Sequence, residues 1–396
     1  MSAVGPRSAA RGKDSVIMSE VVSNVICPGT QPYIRDQWYV IAFSHEVQPG
    51  RPFARKCMDE PILLFRDVDG QVAALYDRCP HRAVPLSQGR VLDHAVECAY
   101  HGFQFDRTGR CVLIPTEQRV PASVFTRSYP VVEQMQFVWI WMGDPAKADP
   151  AMVPSYVQLG CDQSVHRRWQ FEPYFVMEIK ANYSLLFENL LDTSHISFLH
   201  IGGIDGGGMA TAPYTVGTEG LTVTLERNLA RDVAVPGTAK LFSMPVGQVF
   251  SRRLRSQSFL PNLHLISNTI GFPEEPARKP NLRMNIMPIT PASRNHLYQF
   301  VVIATSYAVD VTQDMKDQLW TVFSQDLEAL EAIQAGYDEF GPDLREVSVK
   351  ADAAAVSARR TLSRMGKAAV AAQSKAAGPV AAAAEPASGP QLSAAP

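Results

Sequence analysis

Cys79-Pro80-His81 and Cys98-Ala99-Tyr100-His101 decide how this chain is read. Sixteen residues separate the two groups, and each offers one sulfur and one imidazole donor. A [2Fe–2S] cluster ordinarily takes four thiolates, but some centres replace two of them, on one iron, with neutral imidazoles. The replacement removes negative charge and raises the reduction potential. A structural zinc site also accepts mixed Cys/His donors. Zinc knuckles favour C-x-x-C pairs, whereas each loop here holds one Cys and one His. The iron–sulfur reading is therefore the stronger.

Around these loops the sequence is rich in short β-type runs: Trp38-Tyr39-Val40-Ile41, Ile62-Leu63-Leu64-Phe65, Val72-Ala73-Ala74-Leu75-Tyr76 and Phe137-Val138-Trp139-Ile140-Trp141. Turn signals such as Asp69-Gly70 separate them, predicting a small all-β domain whose hairpin-like tips hold the cluster. A proline-bearing linker follows at Asp144–Pro154. Further strand runs come at Leu221–Leu225, Ser258–Ile270, Leu282–Pro288 and Leu297–Ala304. Helical segments flank them at about Tyr183–Leu199 and Val311–Tyr337. The predicted class is α+β, an all-β [2Fe–2S] domain followed by an antiparallel-sheet catalytic domain flanked by helices. The expected divisions are a flexible extension over 1–33, the cluster domain over 34–147, the catalytic domain over 148–366 and a disordered Ala/Pro-rich tail over 367–396.

At 396 residues, with 46% hydrophobic and 19% charged, the chain reads as a globular protein of two domains. A formal net charge of −2 gives no basic footprint for nucleic acid. No apolar run approaches the roughly twenty residues of a membrane span. Of six cysteines, two are claimed by the cluster and four show no framework spacing, which fits a reducing, cytoplasmic setting. The first residues lack a secretory apolar core. They read as a flexible extension or as an upstream start with Met18 the working one.

A second constellation lies at Glu188-Asn189-Leu190-Leu191-Asp192-Thr193-Ser194-His195-Ile196-Ser197-Phe198-Leu199-His200. On a regular helix Glu188, Asp192 and His195 would share a face. His200 would not, because five residues at about 100° each leave it roughly 140° round from His195. Both imidazoles can reach one metal only if the helix is widened or broken between them. A non-heme Fe(II) oxygenase site needs two His and one carboxylate, with open positions left over. Asp326 falls on the apolar stripe Leu319, Phe323, Leu330, Ile333 of the late helix, while Glu328 and Glu331 point elsewhere. A buried carboxylate wants a cation, so Asp326 is the candidate third ligand.

The cysteine–histidine pattern, the Asp-x-x-His-x-x-x-x-His segment and a later helical Asp occur in this order, and the chain resembles Rieske non-heme iron oxygenase α subunits. Among these aromatic ring-hydroxylating oxygenases it looks most like the vanillate and dicamba O-demethylase branch. Asn189-Leu190-Leu191-Asp192 is similar to that branch's Asn-Leu-Met-Asp, and Phe323-Ser324-Gln325-Asp326-Leu327-Glu328 to its Phe-Ala-Glu-Asp-Leu-Glu. The likeness runs from about Asp36 to the Ser357–Met365 region. It implies that Cys79, His81, Cys98 and His101 hold a Rieske [2Fe–2S] cluster and that His195, His200 and Asp326 hold mononuclear non-heme iron. It implies a head-to-tail homotrimer in which Asp192 meets a Rieske histidine of the neighbouring subunit and also orients His195. Asn189 matches a residue close to the iron. Thr193-Ser194 and Phe198-Leu199 depart from the demethylases, which leaves the substrate open.

The function implied is the terminal oxygenase component of a Rieske monooxygenase, using O₂ to hydroxylate and so O- or N-demethylate a small aromatic substrate. No flavin or nucleotide motif is present, so electrons come from a separate NAD(P)H-dependent reductase, with or without a ferredoxin. The alternatives are a ring-hydroxylating dioxygenase of the phthalate or phenoxybenzoate kind, and a Rieske electron-transfer or zinc-binding module without oxygenase activity. Gly202–Gly208 follows a helix rather than a strand, so it reads as a mobile loop near the iron rather than a dinucleotide site. Asn262, His264, Tyr298 and Phe300 read as core packing. Arg252, Arg253 and Arg255 could clamp a carboxylate but read as a solvated charge run.

Overall fold

The computed structural model describes residues 32–162, 169–200, 203–309, 311–341, 344 and 346–376. The predicted N-terminal extension falls largely outside these residues, as do Met18, Gly202 and the chain beyond 376.

The N-terminal part is all β, as expected. Strands β1 (Gln37–Phe43), β2 (Phe53–Cys57), β3 (Glu60–Arg66) and β4 (Val72–Tyr76) come before the cluster loops. The short strands β5 (Arg90–Val91), β6 (Ala95–Glu97), β7 (Gln104–Asp106) and β8 (Cys111–Leu113) form a meander around them. Then β9 (Ser128–Tyr129), β10 (Val131–Gln134) and β11 (Phe137–Met142) return to the base. Three antiparallel sheets result, in the orders β1-β11-β10, β2-β3-β4-β9 and β5-β6-β7-β8.

The second part is a seven-stranded antiparallel sheet. Its strands are β12 (Gln170–Ile179), β13 (Tyr214–Glu219), β14 (Thr222–Val233), β15 (Val249–Phe259), β16 (Leu263–Gly271), β17 (Asn281–Ser293) and β18 (His296–Thr305). Their order is β12-β18-β17-β16-β15-β14-β13. The helices are α1 (Tyr183–Leu191), α2 (Ile196–Leu199), α3 (Pro236–Leu241), α4 (Gln313–Phe340) and α5 (Ala353–Ala376).

Period-2 alternation gives this sheet two faces of different employment. On β17, Met284 and Ile286 join a core with Trp38, Val40, Trp139 and Trp141 of the N-terminal part, while Met287 and Ile289 join the core beneath the helices. Strand β11 is buried throughout for the same reason: Phe137, Trp139 and Trp141 face the large sheet, and Val138, Ile140 and Met142 face the small domain's own core. The two domains therefore share a core rather than hang on a linker. The Asp144–Pro154 segment is two short 3₁₀ turns capped by Asp144 and Asp149, with the Trp38 indole donating to the Asp149 carbonyl at 2.9 Å.

Four expectations are corrected. The run Ser258–Ile270 is not one strand, because Pro261 sits in a turn between β15 and β16. The helix expected over Tyr183–Leu199 stops at Leu191 and restarts at Ile196. Ile333 is 47% exposed, so the apolar face of α4 runs through Leu330, Gln334 and Tyr337 instead. Helix α5 continues to Ala376, into the segment read as a disordered tail. Half of residues 367–376 are alanine, the strongest helix former, and proline begins only at Pro379.

Candidate metal centres

The two cluster loops are built alike. The Cys79 N–H donates to the Val84 carbonyl at 2.9 Å and the Ala83 N–H returns to the Cys79 carbonyl at 2.8 Å. One loop later, the Cys98 N–H donates to Phe103 and the Gly102 N–H returns to Cys98, at 2.8 and 3.0 Å. Ala83 and Gly102, each four residues past its cysteine, take the left-handed φ values of 56° and 71°. The hydroxyl and N–H of Ser87 both donate to the buried Asp77 carboxylate, pinning the first loop. A side chain at Gly89 would strike the Glu97 carbonyl, so only glycine lets the loops approach this closely.

The loops bury sulfur and expose nitrogen. Cys79 and Cys98 are each 3% exposed over a small core of Leu63, Phe65, Leu75 and Phe105. Burial pushes the Cys79 thiol up to about 11, against the backbone N–H groups of His81 and Arg82 that favour its thiolate. His81 and His101 are exposed, with ring centroids 4.6 Å apart, and Phe103 stacks flat on His81. One thiol pair and one imidazole pair fit the two differently ligated irons of a Rieske centre.

In the second domain the break falls upstream of where the sequence demanded it: the helix ends at Leu191, before both histidines, rather than between His195 and His200. The Ser194 N–H and hydroxyl both donate to the Asp192 carboxylate, at 2.7 and 2.5 Å, and Asp192 turns to an extended backbone. Helix α2 is a single turn, entered at His195 and left at His200, whose backbone is no longer helical. The two rings are thereby brought to 5.3 Å. His195 Nε2 and His200 Nε2 each lie 3.4 Å from Asp326 Oδ1, and one donor atom from each residue falls within 4.8 Å of the others. No ion is needed to see the pattern: two imidazoles and one carboxylate converge, as a facial iron site requires.

The electrostatics agree with the geometry. Burial pushes the Asp326 carboxyl up, but hydrogen bonds and charge from His195 and His200 outweigh it and hold the group down to about 2. Burial lowers His200, and the same carboxylate more than restores it. The amide of Asn189 donates to Asp326 Oδ1 at 3.1 Å, while its own Oδ1 is buried with no partner. Glu188 departs from the expected shared face with Asp192 and His195, because the helix ends between them; it pairs with Arg359 on α5 instead. The hydrogen bonds of Asp192 run to Ser194 rather than to His195.

Two contributors escaped the sequence reading. Gln325 Oε1 lies 2.8 Å from His200 Nδ1; accepting there leaves Nε2 free to face the metal. Arg227, only 1% exposed, donates to the Thr193 hydroxyl at 2.6 Å and so braces the break between α1 and α2. Neither carries a sequence signal, since each lies far along the chain from what it touches. From Gly203 onward the glycine-rich loop is held rather than loose. Asp205 accepts from Ser197, and the Ile204 carbonyl accepts from Thr238 and Arg252. His264 sits between two serine hydroxyls, and Tyr298 and Phe300 pack in the shared core.

The trio His195, His200 and Asp326 opens on a cavity between the helices and the sheet. Leu190, Ile196, Leu254, Leu319, Val322 and Phe323 make its walls largely apolar, as small-molecule sites usually are. Residues 37–130 match the Rieske [2Fe-2S] domain, and residues 179–368 match the vanillate O-demethylase oxygenase C-terminal domain. The chain carries a Rieske [2Fe–2S] domain followed by a vanillate O-demethylase-type C-terminal domain. It is 38% identical over 209 residues to the toluene-4-sulfonate monooxygenase system iron-sulfur subunit of Comamonas testosteroni, covering 53% of this chain and 54% of that one. The chain spans about half the length of this relative and of the next ones it matches. A vanillate O-demethylase oxygenase subunit of a Pseudomonas strain is 28% identical across 84% of this chain and 94% of its own. The crystal structure of dicamba monooxygenase bound to 3,6-dichlorosalicylic acid superposes with a TM-score of 0.77 at 26% identity. That match covers 86% of this chain and 99% of the other.

Proposed function

We propose that the chain is the terminal oxygenase component of a Rieske monooxygenase that hydroxylates, and thereby O- or N-demethylates, a small aromatic substrate. The observation that carries this is the convergence of His195, His200 and Asp326 at the wall of an apolar cavity, in a chain with a Rieske domain. Cys79, His81, Cys98 and His101 hold the cluster, and the trio holds iron. Held there, the cluster would supply electrons and the iron would supply O₂ chemistry, one oxygen atom entering a substrate C–H bond and the other leaving as water with two electrons and two protons. If the bond belongs to an O-methyl or N-methyl group, the hydroxylated product collapses and releases formaldehyde.

The residues divide the remaining work. Gln325 holds the tautomer of His200, and Asn189 holds Asp326 in place from the neighbouring helix. The apolar walls exclude water and accept an aromatic ring. Asp192 lies at the open side of the site, where a second hollow is lined by Glu188, Asn189, Asp192, His195 and Arg359. In a homotrimer that hollow is where a neighbour's exposed His81 or His101 approaches Asp192. A separate NAD(P)H-dependent reductase supplies the electrons, and the assembly works in the cytoplasm. Among the described residues no helix is long and apolar enough to cross a membrane.

The test is single turnover: reduced, iron-replete protein is given O₂ with methoxylated, N-methylated and unmethylated aromatics. Formaldehyde matched to a demethylated product is the expected result. A diol or phenol without formaldehyde would replace demethylation by ring hydroxylation. His195→Ala is expected to keep the cluster spectrum and lose product. Full activity in that variant would show that His195 does not hold the iron.

A further inference from the structure

The glycine-rich loop has no part in the oxygenase reading, yet it grips the piece of chain that carries both iron histidines. Helix α2 is four residues long, held within itself by the Phe198 and Leu199 N–H groups donating to the His195 carbonyl at 2.9 and 2.7 Å. A single turn is marginal alone in water, because its first hydrogen bonds must fix several residues at once. His195 and His200 stand at its two ends. Whatever fixes α2 therefore fixes the approach of the two imidazoles to each other.

Loop 203–210 does this from outside the helix. The Ser197 hydroxyl, within α2, donates to Asp205 Oδ2 at 2.6 Å and accepts from the Ala210 N–H at 2.9 Å. The Met209 N–H donates to the same carboxylate oxygen at 3.2 Å, closing the ring. Beside it Ile196 of α2, Met209 and Leu254 of β15 form a small buried core. The loop is itself anchored on three elements. The Ile204 carbonyl accepts from Thr238 on α3 and from Arg252 on β15, each at 3.2 Å, and the Gly203 carbonyl accepts from Gln318 on α4 at 3.4 Å. Helix α3 comes so close that a side chain at Gly237 would strike the Gly203 carbonyl. Arg252 thus departs from the solvated charge run read in the sequence: it is buried and turned inward, while Arg253 and Arg255 face solvent.

Asp205 is where these contacts meet. It is 4% exposed, and its Oδ1 is buried without a hydrogen-bond partner. A carboxylate is costly to bury on such terms. Arg252 lies near enough to offset its charge, and a hydroxyl donates about twice as strongly to an ionised acceptor as to a neutral one. We propose that Asp205 is a positioning residue for the iron site: through Ser197 it holds α2, and with it His195 and His200, where Asp326 on α4 completes the ligand set. It touches neither metal nor substrate. The loop is a clamp that lends the rigidity of β15, α3 and α4 to a one-turn helix.

The clamp rests on the reading of His195, His200 and Asp326 as iron ligands, and its test reads metal rather than turnover. The full chain, its cluster intact and oxidised, is stripped of mononuclear metal and titrated with Co(II) against a competing chelator. Asp205→Ala is expected to weaken Co(II) binding about 10–100-fold and to change the cobalt paramagnetic resonance, with the cluster spectrum unaltered. Ser197→Ala, which removes the same bond from the other side, is expected to move both readouts in the same direction. Asp205→Asn keeps an acceptor for Ser197 and is expected to recover most of the affinity and the wild-type line shape. Wild-type affinity and line shape in Asp205→Ala or Ser197→Ala overturn the proposal, even where unfolding stability falls, because the role is then structural only. Asp205→Asn as weak as Asp205→Ala overturns it too. If Asp205→Ala does not hold its cluster, Ser197→Ala decides. A wild-type chain that binds no Co(II) would overturn the clamp and the iron assignment together. A clamp effect on Co(II) in a protein that yields no product would count against the oxygenase reading alone.

Discussion

His264 is fully buried, with Ser256 and Ser258 hydroxyls on its two ring nitrogens at 3.0 and 2.8 Å. Burial pulls its pKa down to about 3. Because the folded value lies below the unfolded one, the unfolded chain takes the proton first as pH falls. The contribution is whole above about 6.5 and is lost progressively toward 3, on the order of 2 kcal/mol by pH 5. Denaturant titrations at pH 7.5 and 5 are expected to show this loss in the wild type and a smaller one in His264→Asn. Gln325 offers a residue-scale check on the iron site. Gln325→Leu removes the acceptor from His200 and is expected to weaken iron binding about 10–100-fold, read by competition with a chelator while the cluster spectrum stays constant. Of these residues the sequence announced only the metal-ligand types. His264 and Gln325 take their meaning from neighbours on other elements, to which spacing along the chain is blind.

The element that decides the iron site is the interrupted helix from Tyr183 to Leu199. Its apolar residues suit one long helix, and the Asp192–Ser194 turn breaks it. Asp192→Asn keeps an acceptor for Ser194 but loses the charge. Iron and cluster contents should therefore stay at wild-type levels while turnover falls about tenfold or more; normal turnover would remove Asp192 from the electron path. Helix α5 fixes the other side of α1, since Arg359 grips both Glu188 and Glu346. Arg359→Ala leaves the half-buried Glu188 without its partner, and a loss of about 1.5–3 kcal/mol is expected in equilibrium unfolding. Helix periodicity showed that a helix was present here. It could not place the break at Asp192–Ser194, because an Asx-type turn competes with the helix on nearly equal terms until tertiary contacts such as Arg227–Thr193 choose between them.

Across the whole molecule, one sheet serves two masters. Its even-numbered face on β17 packs on Trp38, Trp139 and Trp141, and its odd-numbered face roofs the cavity. The Thr290 hydroxyl donates to the Val40 carbonyl at 2.6 Å across the same junction. Trp139, 1% exposed, lies in the shared core. Trp139→Ala is expected to cost about 3–5 kcal/mol. Cluster absorbance and far-ultraviolet dichroism should then be lost in one coincident transition; separate transitions would show that the domains fold independently.

The sequence by itself offered the candidate ligands, which side chains could hold iron and in what order, and showed that strands precede a mixed α+β domain. Donor type and short-range spacing are local properties, so Cys79, His81, Cys98, His101, His195 and His200 could be named directly. Asp326 was reachable because a carboxylate on an apolar stripe contradicts its surroundings. The tertiary structure decided what the local pattern hides. Arg283 and Asn285 alternate with Met284 and Ile286, the pattern of a strand with one wet face. Only the helices laid over that face turn it into the wall of a cavity. Burial is a property of what else is packed nearby, and no period along a single strand records it.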